Sequence, residues 1–154
     1  MRQLLNRYRR DRKGGAAIEM ALIAPILVTM LAGMIELGWV FYQSAALERG
    51  LRAGATYAAR SEVPMSSATK TAVGNLIKTA SMDGGLGTVA TNWDETGAAY
   101  TINVVNRDVG SITVPVIRLQ ATVPFSPVSS ALMDLLGVGS SNIVVTHEQA
   151  FIAI

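Results

Sequence analysis

At 154 residues and 16.3 kDa the chain has material for one ordinary domain, or for a small domain carrying an extended element. Half of its residues are hydrophobic, 16% are charged and the mean hydropathy is +0.35, which excludes a disordered polyelectrolyte and places part of the chain outside water. The formal net charge of +2 hides an asymmetry, because residues 1–13 carry six basic side chains against Asp11 while the remainder has seven basic and ten acidic ones. The basic pI of about 9.2 therefore belongs to one short segment and not to a basic domain. With no cysteine, a disulfide framework, a thiol nucleophile and a cysteine metal site are all excluded.

From Met20 to Val40 there is a single charge, Glu36. As a helix at ~1.5 Å per residue this run spans roughly 30 Å, the thickness of a hydrocarbon core. The basic segment precedes it and no comparable cluster follows, so the positive-inside rule predicts residues 1–14 in the cytoplasm and the bulk of the chain across the membrane. The span is expected at about residues 20–42, with Glu36, Trp39 and Tyr42 at the far boundary. The helical pattern continues beyond it. Glu48 and Arg52 stand four apart with the acid first, the better order for a helix pair. Ala46, Gly50, Gly54 and Ala58 recur every four residues as a stripe of very small side chains. Each glycine costs a helix up to ~1 kcal/mol relative to alanine, and close approach of another backbone is the usual compensation. One long helix is predicted from Gly15 to about Ser61, within a segment 15–62, kinked or loosened by Pro25 and stopped by Pro64.

The remaining segment, 63–154, reads as a small α+β domain of three or so antiparallel strands. Ser66 to Ala80 predicts an amphipathic helix with Ala72, Val73, Leu76, Ile77 and Ala80 on one face. Met82 to Gly97 is a Gly/Thr/Asn-rich loop, and Tyr100 to Val105 alternates as a strand. Ile112 to Val123 is also strand-like; its change of phase near Val116 and its Pro115 predict a bulge or an edge position. Pro127 to Leu136 predicts a short helix ending at Gly137, and Asn142 to Ile152 a last strand.

The segment before the apolar run carries most of the functional information: Lys13-Gly14-Gly15-Ala16-Ala17-Ile18-Glu19-Met20. A secretory signal is a poor account of it, since the apolar core is too long, contains Glu36, and continues as helix through the small-residue site Ser44-Ala45-Ala46. A basic leader, a glycine, four small or apolar residues, a glutamate and a membrane-length helix resemble the type IV prepilin signal. In that family a prepilin peptidase cuts after the glycine on the cytoplasmic side, and the glutamate is the fifth mature residue. The resemblance places the cut between Gly14 and Gly15, with the bond after Gly15 as the alternative, and makes Glu19 and Met20 the motif that follows.

The stretch Gly14 to Arg60 is similar to the TadE-like proteins, minor pilins (pseudopilins) of the tight adherence, or Flp, pilus system. The matching features are Ala17-Ile18-Glu19-Met20, Ala24-Pro25, Met34-Ile35-Glu36-Leu37-Gly38, and the run from Ala45 to Ala59 with Arg52, Gly54 and Tyr57-Ala58-Ala59. Val123-Pro124-Phe125-Ser126-Pro127, followed by an apolar run and a final strand, is similar too. Two departures stand out: Met20 replaces an aromatic residue, and Ala55-Thr56 follows Gly54 where the family has Ala-Arg. The resemblance implies a pilin-like α+β fold, with the long helix packed on a small antiparallel sheet. It implies as partners the inner membrane, a prepilin peptidase, other Tad minor pilins, the major Flp pilin and the assembly platform, in the service of adhesion.

A carboxylate in hydrocarbon costs at least ~2.5–3.5 kcal/mol at mid-bilayer, so an intramembrane glutamate calls for a partner. Cleavage would create an α-amine at Gly15, one helical turn from Glu19 and near the helix N-terminus, where the macrodipole favours an acid. For Glu36 two roles stay open, a solvated boundary acid and an inter-subunit contact. No catalytic, cofactor or metal site is expected: His147 stands alone, the glycines at 84, 85 and 87 follow no strand, and no serine sits in a nucleophile elbow. The leading arginines read as a topology signal and an anionic-lipid contact, not as a nucleic-acid site. The competing reading is an uncleaved bitopic membrane protein whose periplasmic domain binds a partner or envelope component.

Overall fold

Between Gly15 and Ala58 only Pro25 lacks the backbone N–H that a helix needs. In the computed structural model, which describes residues 14–85, 87–135, 137 and 141–152, these residues form one continuous helix, α1 (Gly15–Ala58). Its 44 residues extend ~66 Å. The helix runs on through Pro25, and Thr29 Oγ1 donates to the Pro25 carbonyl one turn below (2.8 Å). α1 ends three residues earlier than the sequence predicts, and well before Pro64. The backbone N–H groups of Arg60 and Ser61 tighten to i−3 acceptors, and Ser61 Oγ also donates to the Ala58 carbonyl (2.8 Å). The Ala59 carbonyl turns out of the helix to accept from Ile152 N–H (3.1 Å), tying the end of the chain to the end of α1.

The next helix, α2 (Ser67–Thr79), starts where Ser66 Oγ accepts from Thr69 N–H (3.1 Å) and ends at Ala80, which takes φ 55°. Its buried positions are Val73, Gly74 and Ile77. Three strands follow: β1 (Ala99–Val109), β2 (Ile112–Pro124) and, after the short helix α3 (Ser130–Leu135), β3 (Asn142–Ala150). They form one antiparallel sheet in the order β1-β2-β3. A two-residue loop, Gly110-Ser111, joins β1 to β2; Gly110 takes φ 67° and Ser111 does not, the pattern of a type II′ hairpin.

β2 is the central strand and its pairing with β1 runs from Val109↔Ile112 to Ala99↔Thr122 without a skipped residue, so the expected bulge is absent. Pro115 fits because β3 stops at the level of Val116: the Pro115 carbonyl faces that side and accepts from Phe151 N–H (3.0 Å) beyond the strand end. The missing N–H faces the same side, so no ladder bond to β1 is lost. Both helices pack on one face of the sheet. Leu47, Leu51, Ala55 and Ala58 of α1 meet Val73 and Ile77 of α2 and Ile117, Leu119, Ala121 and Val123 of β2 in one core. The 82–97 segment is a loop, as its composition predicts, yet it delivers Ala90 and Trp93 into that core. On the outer face Glu148 accepts from Arg107 (2.9 and 3.1 Å) and from Arg118 (2.6 Å). The hydrogen bonds from Arg107 and then Arg118 hold its carboxyl below the usual value.

Candidate assembly surface along the N-terminal helix

The first half of α1 is built from residues that find no partner in their own chain. No residue from Gly15 to Ile35 is buried, and large apolar side chains stand out on every side, among them Ile18, Leu22, Val28 and Met34, each 65–70% exposed. This stretch is long and apolar enough to cross a membrane. Gly14 and Gly15 lie at its start with open space around them, and Glu19 and Met20 are exposed one turn further on. Of the predicted leader, residues 1–14, all but Gly14 lie outside the described residues.

The character of the helix changes at Glu36. It is the first buried residue of α1, 4% exposed, and its carboxylate accepts two backbone hydrogen bonds from a segment more than ninety residues away. Val128 N–H donates to Oε2 (3.0 Å) and Ser129 N–H to Oε1 (2.6 Å). Both donors lie just before α3, where N–H groups lack helical acceptors, and a carboxylate there is worth more than a neutral acceptor. Glu36 therefore clamps the Pro127–Ser130 turn to α1, a role that differs from both of those open to it in the sequence. Beside the clamp lies an apolar cavity of about 450 Å³ between α1 and α3, walled by Gly33, Leu37, Val40, Phe125 and Met133. Trp39 and Tyr42 follow on α1, stacked with ring centroids 5.5 Å apart, Trp39 half-buried and Tyr42 exposed.

The small-residue stripe belongs to the second half of the helix, and there it is buried within the chain. Ala46 and Ala58 are 1% and 0% exposed. A Cβ added at Gly50 would overlap the Ile77 carbonyl oxygen of α2. At Gly54 it would meet the side chains of Ile77 at 3.1 Å and of Leu119 and Val73 at 3.4 Å. The backbones of α1 and α2 thus approach closely at Gly50, while Gly54 faces side chains of the core. Gln43, 1% exposed, accepts from Thr91 Oγ1 (3.1 Å) and so fixes the loop that carries Trp93.

Sequence reasoning missed the two amide donors at Val128 and Ser129. The available signal was a lone acid in an apolar run together with a helix start after Pro127, the two features that a carboxylate–amide contact unites. His147 sits half-buried on β3 opposite Leu119, and among the described residues no three potential metal-ligating side chains cluster.

Comparison with known proteins places this geometry. Residues 14–56, which span the exposed half of α1, the Glu36 clamp and most of the small-residue stripe, match the family model described as TadE-like protein. No curated protein and no solved structure matches the chain. Over that N-terminal segment the chain is similar to the TadE-like proteins.

Proposed function

We propose that this chain is a minor pilin, or pseudopilin, that takes part in assembly of the Tad/Flp pilus and in surface adhesion after a prepilin peptidase removes its leader. Residues 1–14 are the cytoplasmic leader, about residues 20–42 cross the bacterial inner membrane, and the α+β domain is periplasmic. The observation that carries this reading is the division of α1 at Glu36. Apart from Glu19 and Thr29, its first 21 residues are apolar around the whole circumference and uncommitted, while one face of the second half is buried against the chain's own domain. A helix of this kind stores the subunit in lipid and later exchanges lipid for neighbouring helices. The open backbone at Gly14–Gly15 suits a peptidase that needs an unhindered bond. The partners this reading implies are the peptidase, other Tad minor pilins, the Flp major pilin and the assembly platform.

Glu19 separates processing from assembly. The α-amine created at Gly15 lies four residues before it, about 6 Å along the axis. Glu19→Ala should insert at least as well as the parent, because a carboxylate is removed from the edge of hydrocarbon. Loss should appear instead at assembly, where the new amine would be left charged against apolar neighbours; breaking such a pair costs ~3–5 kcal/mol. Glu19→Gln should recover little, since it keeps an acceptor and loses the charge. Cleavage, membrane level and pilus formation followed in parallel decide the matter. Normal piliation in Glu19→Ala would exclude the pairing role, and a defect confined to cleavage would make Glu19 a peptidase recognition element.

A further inference from the structure

Beyond the membrane half, α1 presents a second surface with a different chemistry. Arg49, Arg52, Ala53, Thr56 and Tyr57 share one face of α1, and with Arg60 just past its end, Leu76 of α2 and Met82 they line a groove of about 510 Å³. Arginine stands at both of its ends, and Arg52 lies between them. Arg49 and Arg60 stand eleven residues apart, Arg60 just past the helix end, and both are exposed. Arg52 is held by Glu48 (3.2 Å), but among the described residues neither Arg49 nor Arg60 has a carboxylate partner. Between them the floor is Ala53 and Thr56, whose hydroxyl is turned inward onto the Arg52 carbonyl (2.8 Å). Half-buried Tyr57 and Leu76 and the 52%-exposed Met82 supply apolar contact there. Arginine, tyrosine and methionine around a small-residue floor are the composition of protein interfaces.

We propose that this groove docks an acidic amphipathic helix of another protein, with carboxylates about eleven residues apart meeting Arg49 and Arg60 and an apolar side chain between them on Tyr57 and Met82. The charge favours such a partner, and position argues against lipid. With the span ending near Tyr42, as the proposed function has it, Arg49 stands ~11 Å further along the helix and Arg60 lies past the helix end, itself ~24 Å on, both beyond a headgroup layer of ~5–8 Å. A second copy lacks the matching element: α2 contains no acid, α3 has only Asp134, and on α1 Glu19 lies in the membrane half, Glu36 is buried and Glu48 is paired. The inference rests on the proposed membrane topology and partner system for its geometry.

The test uses the full chain in its own bacterium, with benzoylphenylalanine placed at Thr56 and the photo-adduct mapped to a peptide. The expected adduct is an acid-rich segment of a different protein, and Arg49→Glu with Arg60→Glu should lower its yield about tenfold. Replacing the two mapped acids by lysine should restore the yield against the double-reversed chain. Arg49→Lys with Arg60→Lys, which keeps the charge, should retain most of the adduct. An adduct to lipid, to a second copy or to a segment without acids would overturn the proposal. So would no adduct, or a yield that charge reversal leaves unchanged. The N-terminus is sequenced in the same strains: an intact Met1 would defeat the proposed processing and leave the adduct result standing, while a processed chain without adduct would defeat only the groove.

Discussion

Glu36→Ala is expected to free the Pro127–Ser130 turn from α1 while the sheet and the α1–α2 contact remain. The substitution strips the acceptor from two N–H groups at once. A buried donor left unpaired costs ~1–3 kcal/mol, but Val128 is 62% exposed and Ser129 half-buried, so water replaces part of the lost bonds and the local loss should be about 1–2 kcal/mol. Glu36→Gln should recover less than half of it. It offers one oxygen for one amide and turns an NH2 donor toward the other. Hydrogen exchange at Val128 and Ser129, measured on the full chain in a bilayer mimic, should rise about tenfold in the alanine variant. Exchange at core positions such as Leu119 and Ile77 should change much less. Unchanged protection at Val128 and Ser129 would mean that Glu36 does not hold the turn.

The second large effect concerns Gly50. Alanine is the better helix former by up to ~1 kcal/mol, and on propensity alone Gly50→Ala and Gly54→Ala should both stabilise. Packing reverses the sign at one of them. At Gly50 the added carbon overlaps a backbone carbonyl, that of Ile77, which cannot swing aside without moving α2. Overpacking against such an atom costs ~1–3 kcal/mol or more, and the upper end applies here. At Gly54 the neighbours are side-chain atoms at 3.1–3.4 Å, so a shift of a few tenths of an ångström would suffice and no backbone atom stands in the way. We therefore expect Gly50→Ala to lower the melting temperature by roughly 10 °C or more and Gly54→Ala to stay within about 5 °C of the parent. Equal effects at the two glycines would show that α2 does not press on α1 at Gly50. Bulkier replacements, Gly50→Leu above all, should leave insertion intact and still prevent the domain from closing.

The long helix was legible because its signal is local: an uninterrupted apolar run and a four-residue stripe both follow from the helical period. The three strands and α2 were legible for the same reason. Glu36 was not, since its partners are amides more than ninety residues away, and an amide carries no mark of residue type. Trp93 was missed in a related way, because the Gly/Thr/Asn-rich stretch around it describes the backbone and not the one aromatic side chain that is buried, 6% exposed. β1 runs four residues past the predicted end at Val105, through Asn106, Arg107 and Asp108, whose own strand preference is weak. The hairpin at Gly110-Ser111, which follows directly, and the long-range Arg107–Glu148 bond keep them in register. Pro115 misled in the opposite direction: its strand is central, but at its own position the sheet has only two strands.

The most direct test of the account is the N-terminal residue of the protein extracted from the inner membrane of cells that assemble the pilus. The account predicts a chain that begins at Gly15 and still carries the apolar helix, with Gly14→Val accumulating the uncut form. A wild-type chain that keeps Met1 while pili form normally would contradict it, and would make the protein an uncleaved membrane anchor for its α+β domain.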